Sequence, residues 1–287
     1  MNMNKCDLCP RNCKINRETK KGVCGENAVM RINTSSVFMF EEPPISGTRG
    51  SGAIFFSGCS LKCVFCQNYE ISHDGVGTPT TPNQLAQLMK DLEEKGVHNI
   101  NFVSPTHFSD QIIEALKIYK PRVPIVWNTH GYEKVETIKK LLPYVDIFLT
   151  DFKYFNKNSA KKYSNCPDYV ENAQLALSEM VNNKPLKIEG DLLKQGVVVR
   201  HLILPMHTNE SKQILDYLKS TYDKKILVSV MSQFTPFGEC EKFEEINRKL
   251  TKREIQSVYN HFEKLDISGF IQSPKSADTC YIPTWKK

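Results

Sequence analysis

Cys59, Cys63 and Cys66 stand at C-x3-C-x2-C spacing directly behind the apolar run from Ala53 to Phe56. Thiolates are soft ligands that select zinc and iron–sulfur clusters. An electron-transfer cubane takes four cysteines, so three with no fourth nearby predict a [4Fe-4S] cluster with one iron left open to a small molecule. A structural zinc would want four protein ligands; a catalytic zinc with three thiolates and a water, or buried free thiols, are the alternatives.

A second set, Cys6-x2-Cys9-x3-Cys13-x10-Cys24, supplies four thiolates in one short stretch, with Pro10, Gly22 and Gly25 to turn the chain. Four are enough to close a zinc site or a second, fully ligated cluster, and the spacing suits either. No apolar leader with a small-residue cleavage site precedes them. A cytoplasmic location is therefore expected, and a disulfide framework is not. Cys166, Cys240 and Cys280 are scattered and read as ordinary thiols.

With Phe65 the first motif becomes C-x3-C-x-aromatic-C, which resembles the signature of the radical S-adenosylmethionine (radical SAM) superfamily. The resemblance implies that Cys59, Cys63 and Cys66 hold the cluster and that Phe65 lies against the adenine of S-adenosylmethionine, although a core aromatic would need no more than burial. It also implies that the methionine moiety chelates the open iron and that reduction splits the sulfonium into methionine and a 5′-deoxyadenosyl radical. The wider run FFSGCSLKCVFCQN, which ends on Asn68, resembles the activating enzymes of glycyl-radical enzymes, as do TDFKY and VVRHLILP. That likeness covers most of residues 50–235. It implies an oxidoreductase that takes hydrogen from a protein or peptide, served by a flavodoxin- or ferredoxin-type electron donor. Two other readings stand beside it: a radical SAM enzyme acting on a small molecule or RNA, and a non-catalytic zinc or iron–sulfur adaptor or electron carrier.

The same resemblance assigns cofactor-binding roles further along. Asp151 and Lys153 in TDFKY match an Asp-x-Lys motif, and Arg200 matches a strand arginine that faces the cofactor carboxylate. Two residues apart on a strand end, Asp151 and Lys153 share a face; a surface ion pair would give the same spacing. Asn128, in WNTHGY, stands where the family has Asp, and His130 follows it at a strand end. Where the superfamily places Gly-Gly-Glu, this chain has Val103-Ser104-Pro105-Thr106-His107, which leaves Ser104, Thr106 or local carbonyls to receive the cofactor's ammonium. His107 is a further strand-end candidate. His201, beside Arg200, should point to the opposite face, and His73, His98, His207 and His261 read as structural or surface residues.

These residues need a frame that brings strand ends together. Apolar runs at 53–56, 99–103, 124–127, 145–149, 196–204 and 225–230 alternate with amphipathic stretches at 81–95, 108–119, 134–142, 170–182, 210–221 and 251–265. Thr81-Pro82 marks one helix start, and Thr251 with Glu254 forms a capping box at another. Six strand–helix units predict an α/β protein with a parallel sheet. Periodicity leaves an open doubly wound sheet and a barrel as alternatives; the family resemblance implies a partial (β/α)6 TIM-like barrel. In either, functional residues gather at the carboxyl ends of the strands. The chain divides most naturally near Glu41-Glu42-Pro43-Pro44, giving a Cys-rich metal-binding extension over 1–45 and the barrel over 46–287.

Bulk properties agree with a globular protein: 287 residues, 40% hydrophobic and 24% charged, are enough for a core without covalent staples. No apolar stretch approaches the ~18 residues of a membrane span. The net charge of +6 is spread along the chain without a nucleic-acid motif, so neither a membrane nor a nucleic acid is an expected partner.

Overall fold

A computed structural model describes residues 5–272 and Trp285; Cys280 lies outside the described residues. The elements in chain order are β1 (Arg31–Phe38), α1 (Pro43–Ser46), β2 (Ser51–Phe56), α2 (Tyr69–His73), β3 (Thr78–Pro79), α3 (Pro82–Glu94), β4 (Ile100–Val103) and α4 (Ser109–Ile118). Then follow β5 (Ile125–Thr129), α5 (Val135–Leu141), β6 (Ile147–Asp151), α6 (Lys157–Ser164), α7 (Tyr169–Asn183), β7 (Lys187–Glu189) and β8 (Leu192–Leu202). The last are α8 (Thr208–Tyr222), β9 (Leu227–Met231), α9 (Lys252–Leu265) and β10 (Gly269–Ile271).

One sheet runs β10-β9-β8-β6-β5-β4-β2-β1-β3, with β7 paired on β8. From β2 to β10 every pairing on that path is parallel, and each strand's neighbour is the next parallel strand in chain order. A doubly wound sheet reverses its order at a switch point; this one never does. Same-handed crossovers then lay the helices on one face, where α3 packs on α4, α4 on α5, α5 on α7 and α8 on α9. The result is a partial barrel, with the six expected strand–helix units and a seventh parallel strand, β10.

Strand alternation sorts the side chains. Phe56, Phe102, Trp127, Phe148 and Val199 face out into the core formed with helix residues such as Leu85, Ile112, Ile138 and Ile214. The opposite set points inward, where Val126, Ile147, Leu149 and Val198 close the lower interior around Ile45 of α1. Above that layer the inward residues turn polar. Asn101, Asn128, Asp151, Arg200 and Ser229 all bond within the interior or across it to residues 41–42.

β1 was not expected. Its sequence RINTSSVF alternates weakly and five of its eight residues are polar, yet it hydrogen-bonds antiparallel along β2. It lies on the N-terminal side of the Glu-Glu-Pro-Pro step, so the sheet continues across the position where the chain was expected to divide. Among the described residues no helix is long and apolar enough to cross a membrane.

Candidate active site

A cavity of about 540 Å³ opens at the carboxyl ends of the parallel strands, a size suited to a nucleoside-containing cofactor. Cys59, Cys63, Cys66 and Phe65 form one wall, from the loop that leaves β2; Asp151, Lys153 and Arg200 arrive from the ends of β6 and β8. Ser104, Asn128, His130 and Asn68 line it as well. Residues as far apart in sequence as Cys59 and Arg200 meet here because every parallel strand ends on the same rim.

The cysteine loop is held in a tight conformation. Gly58 has φ +79, and a Cβ there would lie 2.7 Å from the Cys24 carbonyl oxygen. Lys62 also sits at positive φ, and its Nζ donates to the Ser72 carbonyl at 2.7 Å. All three thiols are unbridged. Burial pushes the Cys66 thiol up to about 12, with the charges of Cys59 and Cys63 adding to it, and burial likewise raises Cys63. Cys59 behaves oppositely: burial would raise it, but His130 beside it brings the thiol down to about 6. The Tyr132 N–H donates to His130 Nδ1, which leaves Nε2 to pair with Ser60 Oγ at 2.9 Å. Three thiolates crowded on a buried wall repel one another unless a cationic group joins them, and this donor set fits an iron–sulfur cluster. Among the described residues no three thiol, imidazole or carboxylate side chains close on one point as ligands of a single ion do. A cubane sets its thiolates around separate corners.

Phe65 has its expected core position and also borders the cavity. It is buried, stands edge-on to Tyr154, Tyr163 and Phe234, and still presents surface to the cavity.

Asp151 Oδ2 meets Lys153 Nζ at 2.7 Å, and its Oδ1 accepts from Arg200 Nε at 2.9 Å. Burial would raise this carboxyl, but Arg200 and Lys153 hold it down at about 2. Arg200 also donates from Nη2 to Asn128 Oδ1 at 2.7 Å and from Nη1 to Glu41 Oε2 at 3.3 Å. Each guanidinium nitrogen therefore already has a protein partner. Lys153 uses one of its three donors on Asp151, so it is the cation with more capacity for an incoming carboxylate.

Thr106 departs from expectation. It does not line the cavity: its hydroxyl donates to the buried Glu133 carboxylate at 2.5 Å, one residue set deeper in the fold. Ser104, at φ +55, does reach the cavity. His107 is buried against the Ser57 carbonyl at 2.7 Å, away from the cavity, and burial brings its ring down to about 3. His201 faces the outer side and bonds to the Phe152 carbonyl and Ser211.

Glu41 and Glu42 are the residues that sequence reasoning missed. Both line the cavity. Glu41 accepts from Asn101 at 2.9 Å, and Glu42 from Gln272 at 2.8 Å and Ser229 at 3.1 Å. Burial raises both carboxyls despite Arg200 nearby. The available signal was two carboxylates fixed before a Pro-Pro pair; it reads equally well as a linker.

Known proteins extend these observations. The family model of the radical SAM superfamily matches residues 53–218. An uncharacterized protein of Methanocaldococcus jannaschii is 30% identical over 272 residues, covering 91% of this chain and 75% of that protein. A putative glycyl-radical enzyme activating enzyme of Haemophilus influenzae is 22% identical over 202 residues, 66% of this chain and 73% of that protein. The crystal structure of a radical SAM methyltransferase from Sphaerobacter thermophilus superposes with a TM-score of 0.51 at 12% identity. It covers 77% of this chain, which spans 66% of that structure's length, and at this identity the likeness concerns the fold alone.

Proposed function

From the premise that the chain belongs to the radical SAM superfamily, whose members are enzymes, we propose that it is a cytoplasmic oxidoreductase that takes a hydrogen atom from a protein or peptide, as a glycyl-radical activating enzyme does. The observation that carries this reading is the convergence of three thiols, Phe65 and the Asp151–Lys153 pair on one cavity. Cys59, Cys63 and Cys66 would hold a [4Fe-4S] cluster. When bound, that cluster would supply the one-electron reductive cleavage of S-adenosylmethionine, and the substrate would supply the hydrogen that turns its adenosyl part into 5′-deoxyadenosine. A flavodoxin- or ferredoxin-type protein would supply the electron.

The chain's own residues divide the remaining work. His130 lowers the Cys59 thiol toward its thiolate form, and Ser60 bonds to the His130 ring. Lys153 offers its ammonium to the cofactor carboxylate, and Asp151 fixes where that ammonium stands. Phe65 provides an apolar face for the adenine. The Haemophilus relative supports the activating-enzyme branch of this reading.

The test is anaerobic cluster reconstitution, reduction with dithionite, addition of S-adenosylmethionine and quantification of 5′-deoxyadenosine. Wild type is expected to form it, and Cys63→Ala to form at least ~100-fold less. No product from the reconstituted wild type, or equal product from Cys63→Ala, would overturn the proposal.

A further inference from the structure

Four thiols in the N-terminal segment take no part in the cavity. Cys6, Cys9, Cys13 and Cys24 are unbridged, and none of them lines it. They nevertheless share one neighbourhood. A Cβ placed on Gly22 would lie 3.4 Å from Cys24 Sγ and 3.6 Å from Cys13 Sγ, so the two sulfurs flank the same position. Cys6, Cys13 and Cys24 are all near enough for their charges to act on Cys9. The sulfurs also bond to the backbone of the segment: Val23 N donates to Cys13 Sγ at 3.5 Å, and Cys24 Sγ donates to the Glu26 carbonyl at 3.7 Å. The loop closes by paired bonds between Cys6 and residues 14–15, both at 2.9 Å, with Asn12 and Lys14 at positive φ. So short a segment has little apolar core of its own, and a metal is the usual remedy.

The same segment is tied directly to the active-site loop. Cys59 N donates to the Cys24 carbonyl at 3.1 Å. Arg11 spans three chain segments: Nε donates to Ser60 O at 2.9 Å, and Nη2 to Leu61 O at 3.1 Å and Ser164 O at 2.8 Å. Behind them Arg17, fully buried, donates to the His107 carbonyl at 2.5 Å.

We infer that Cys6, Cys9, Cys13 and Cys24, which do not close on one point as the ligands of a single ion would, bind one iron–sulfur cluster that holds the active-site loop 58–66 in shape through the Cys24–Cys59 and Arg11 contacts. The metal site stands on its own geometry; only the catalytic meaning of the loop rests on the function proposed above. Removing the metal would free the Cys24 carbonyl and Arg11 together, because both are carried on the turns it closes.

The full chain carrying Cys59→Ala, Cys63→Ala and Cys66→Ala, purified anaerobically, tests the site by zinc, iron and sulfide content. About four iron with matching sulfide should remain per chain and disappear when Cys9→Ser and Cys24→Ser are added, and zinc without iron would overturn the cluster. A metal-free triple variant overturns the site. Hydrogen exchange tests the coupling: with Cys59, Cys63 and Cys66 intact, Cys9→Ser with Cys24→Ser should speed exchange of loop 58–66 by about tenfold or more while β4 and β5 stay protected. Unchanged loop exchange overturns the positioning role. If protection falls throughout, Arg11→Gln decides, since it should loosen the loop while N-terminal metal is retained, and an unaltered loop there again overturns it. Absence of 5′-deoxyadenosine alongside the expected metal content and exchange would count against the function alone.

Discussion

Asp151 is held by two cations at the rim of the barrel, and its behaviour with pH has a definite sign. Its folded value of about 2 lies below that of an unfolded aspartate, so it contributes stability that is present above about pH 4 and lost as pH falls toward 2. Glu41, raised by burial, acts in the opposite direction. Asp151→Asn should therefore lower the urea midpoint at pH 7, and the gap from wild type should narrow as pH falls from about 4 toward 2. Arg200→Leu leaves Asp151 and Glu41 buried without their common cation, a loss of about 3–5 kcal/mol that urea unfolding would register. Lys153→Ala should instead weaken S-adenosylmethionine binding by about 10–100-fold in calorimetry, the value of one charge-assisted bond, because its partner Asp151 keeps Arg200. Equal binding by Lys153→Ala and wild type would exclude the carboxylate role. Asp151, Lys153 and Arg200 were legible because each ends an apolar run. Glu41 was not, because its significance comes from Asn101, Asn128 and Arg200, residues 60 to 159 positions away.

Elements place these side chains, and some element signals were strong. Thr81 with Gln84 and Thr251 with Glu254 form reciprocal capping boxes at the starts of α3 and α9, as the sequence suggested for α9. β1, β3 and β7 were missed because they are short or polar and take their strand form from the edge they pair with, a tertiary effect. The turn after β5 shows how an element can control the site. Gly131 has φ +80, and a Cβ there would come 2.2 Å from the Asp151 carbonyl oxygen. Gly131→Ala should thus force β5 and β6 apart at their ends, costing about 1–3 kcal/mol of stability and weakening cofactor affinity. Thermal unfolding and S-adenosylmethionine titration of the same variant check both effects, and unchanged affinity would detach this turn from the site.

At the scale of the molecule, the barrel, its lower plug and the N-terminal segment all press on one cavity. A ligand that fits this cavity must stabilise the fold: S-adenosylmethionine at about 100 times its Kd should add about 2.7 kcal/mol and raise Tm by several degrees, read by calorimetry of the reconstituted protein. No shift at saturating concentration would exclude the cavity as its binding site. The sequence by itself determined the three-thiol loop, the six strand–helix units and the side chains at strand ends, because ligand spacing and hydrophobic period are local properties written in neighbouring residues. Only the tertiary structure decided that the sheet never reverses its order, that Thr106 turns away to Glu133 while Ser104 stays, that Glu41 and Glu42 enter from below, and that Cys24 touches Cys59. Those outcomes depend on which distant segments share space, and burial, closure and long-range hydrogen bonds exist only once the chain has packed.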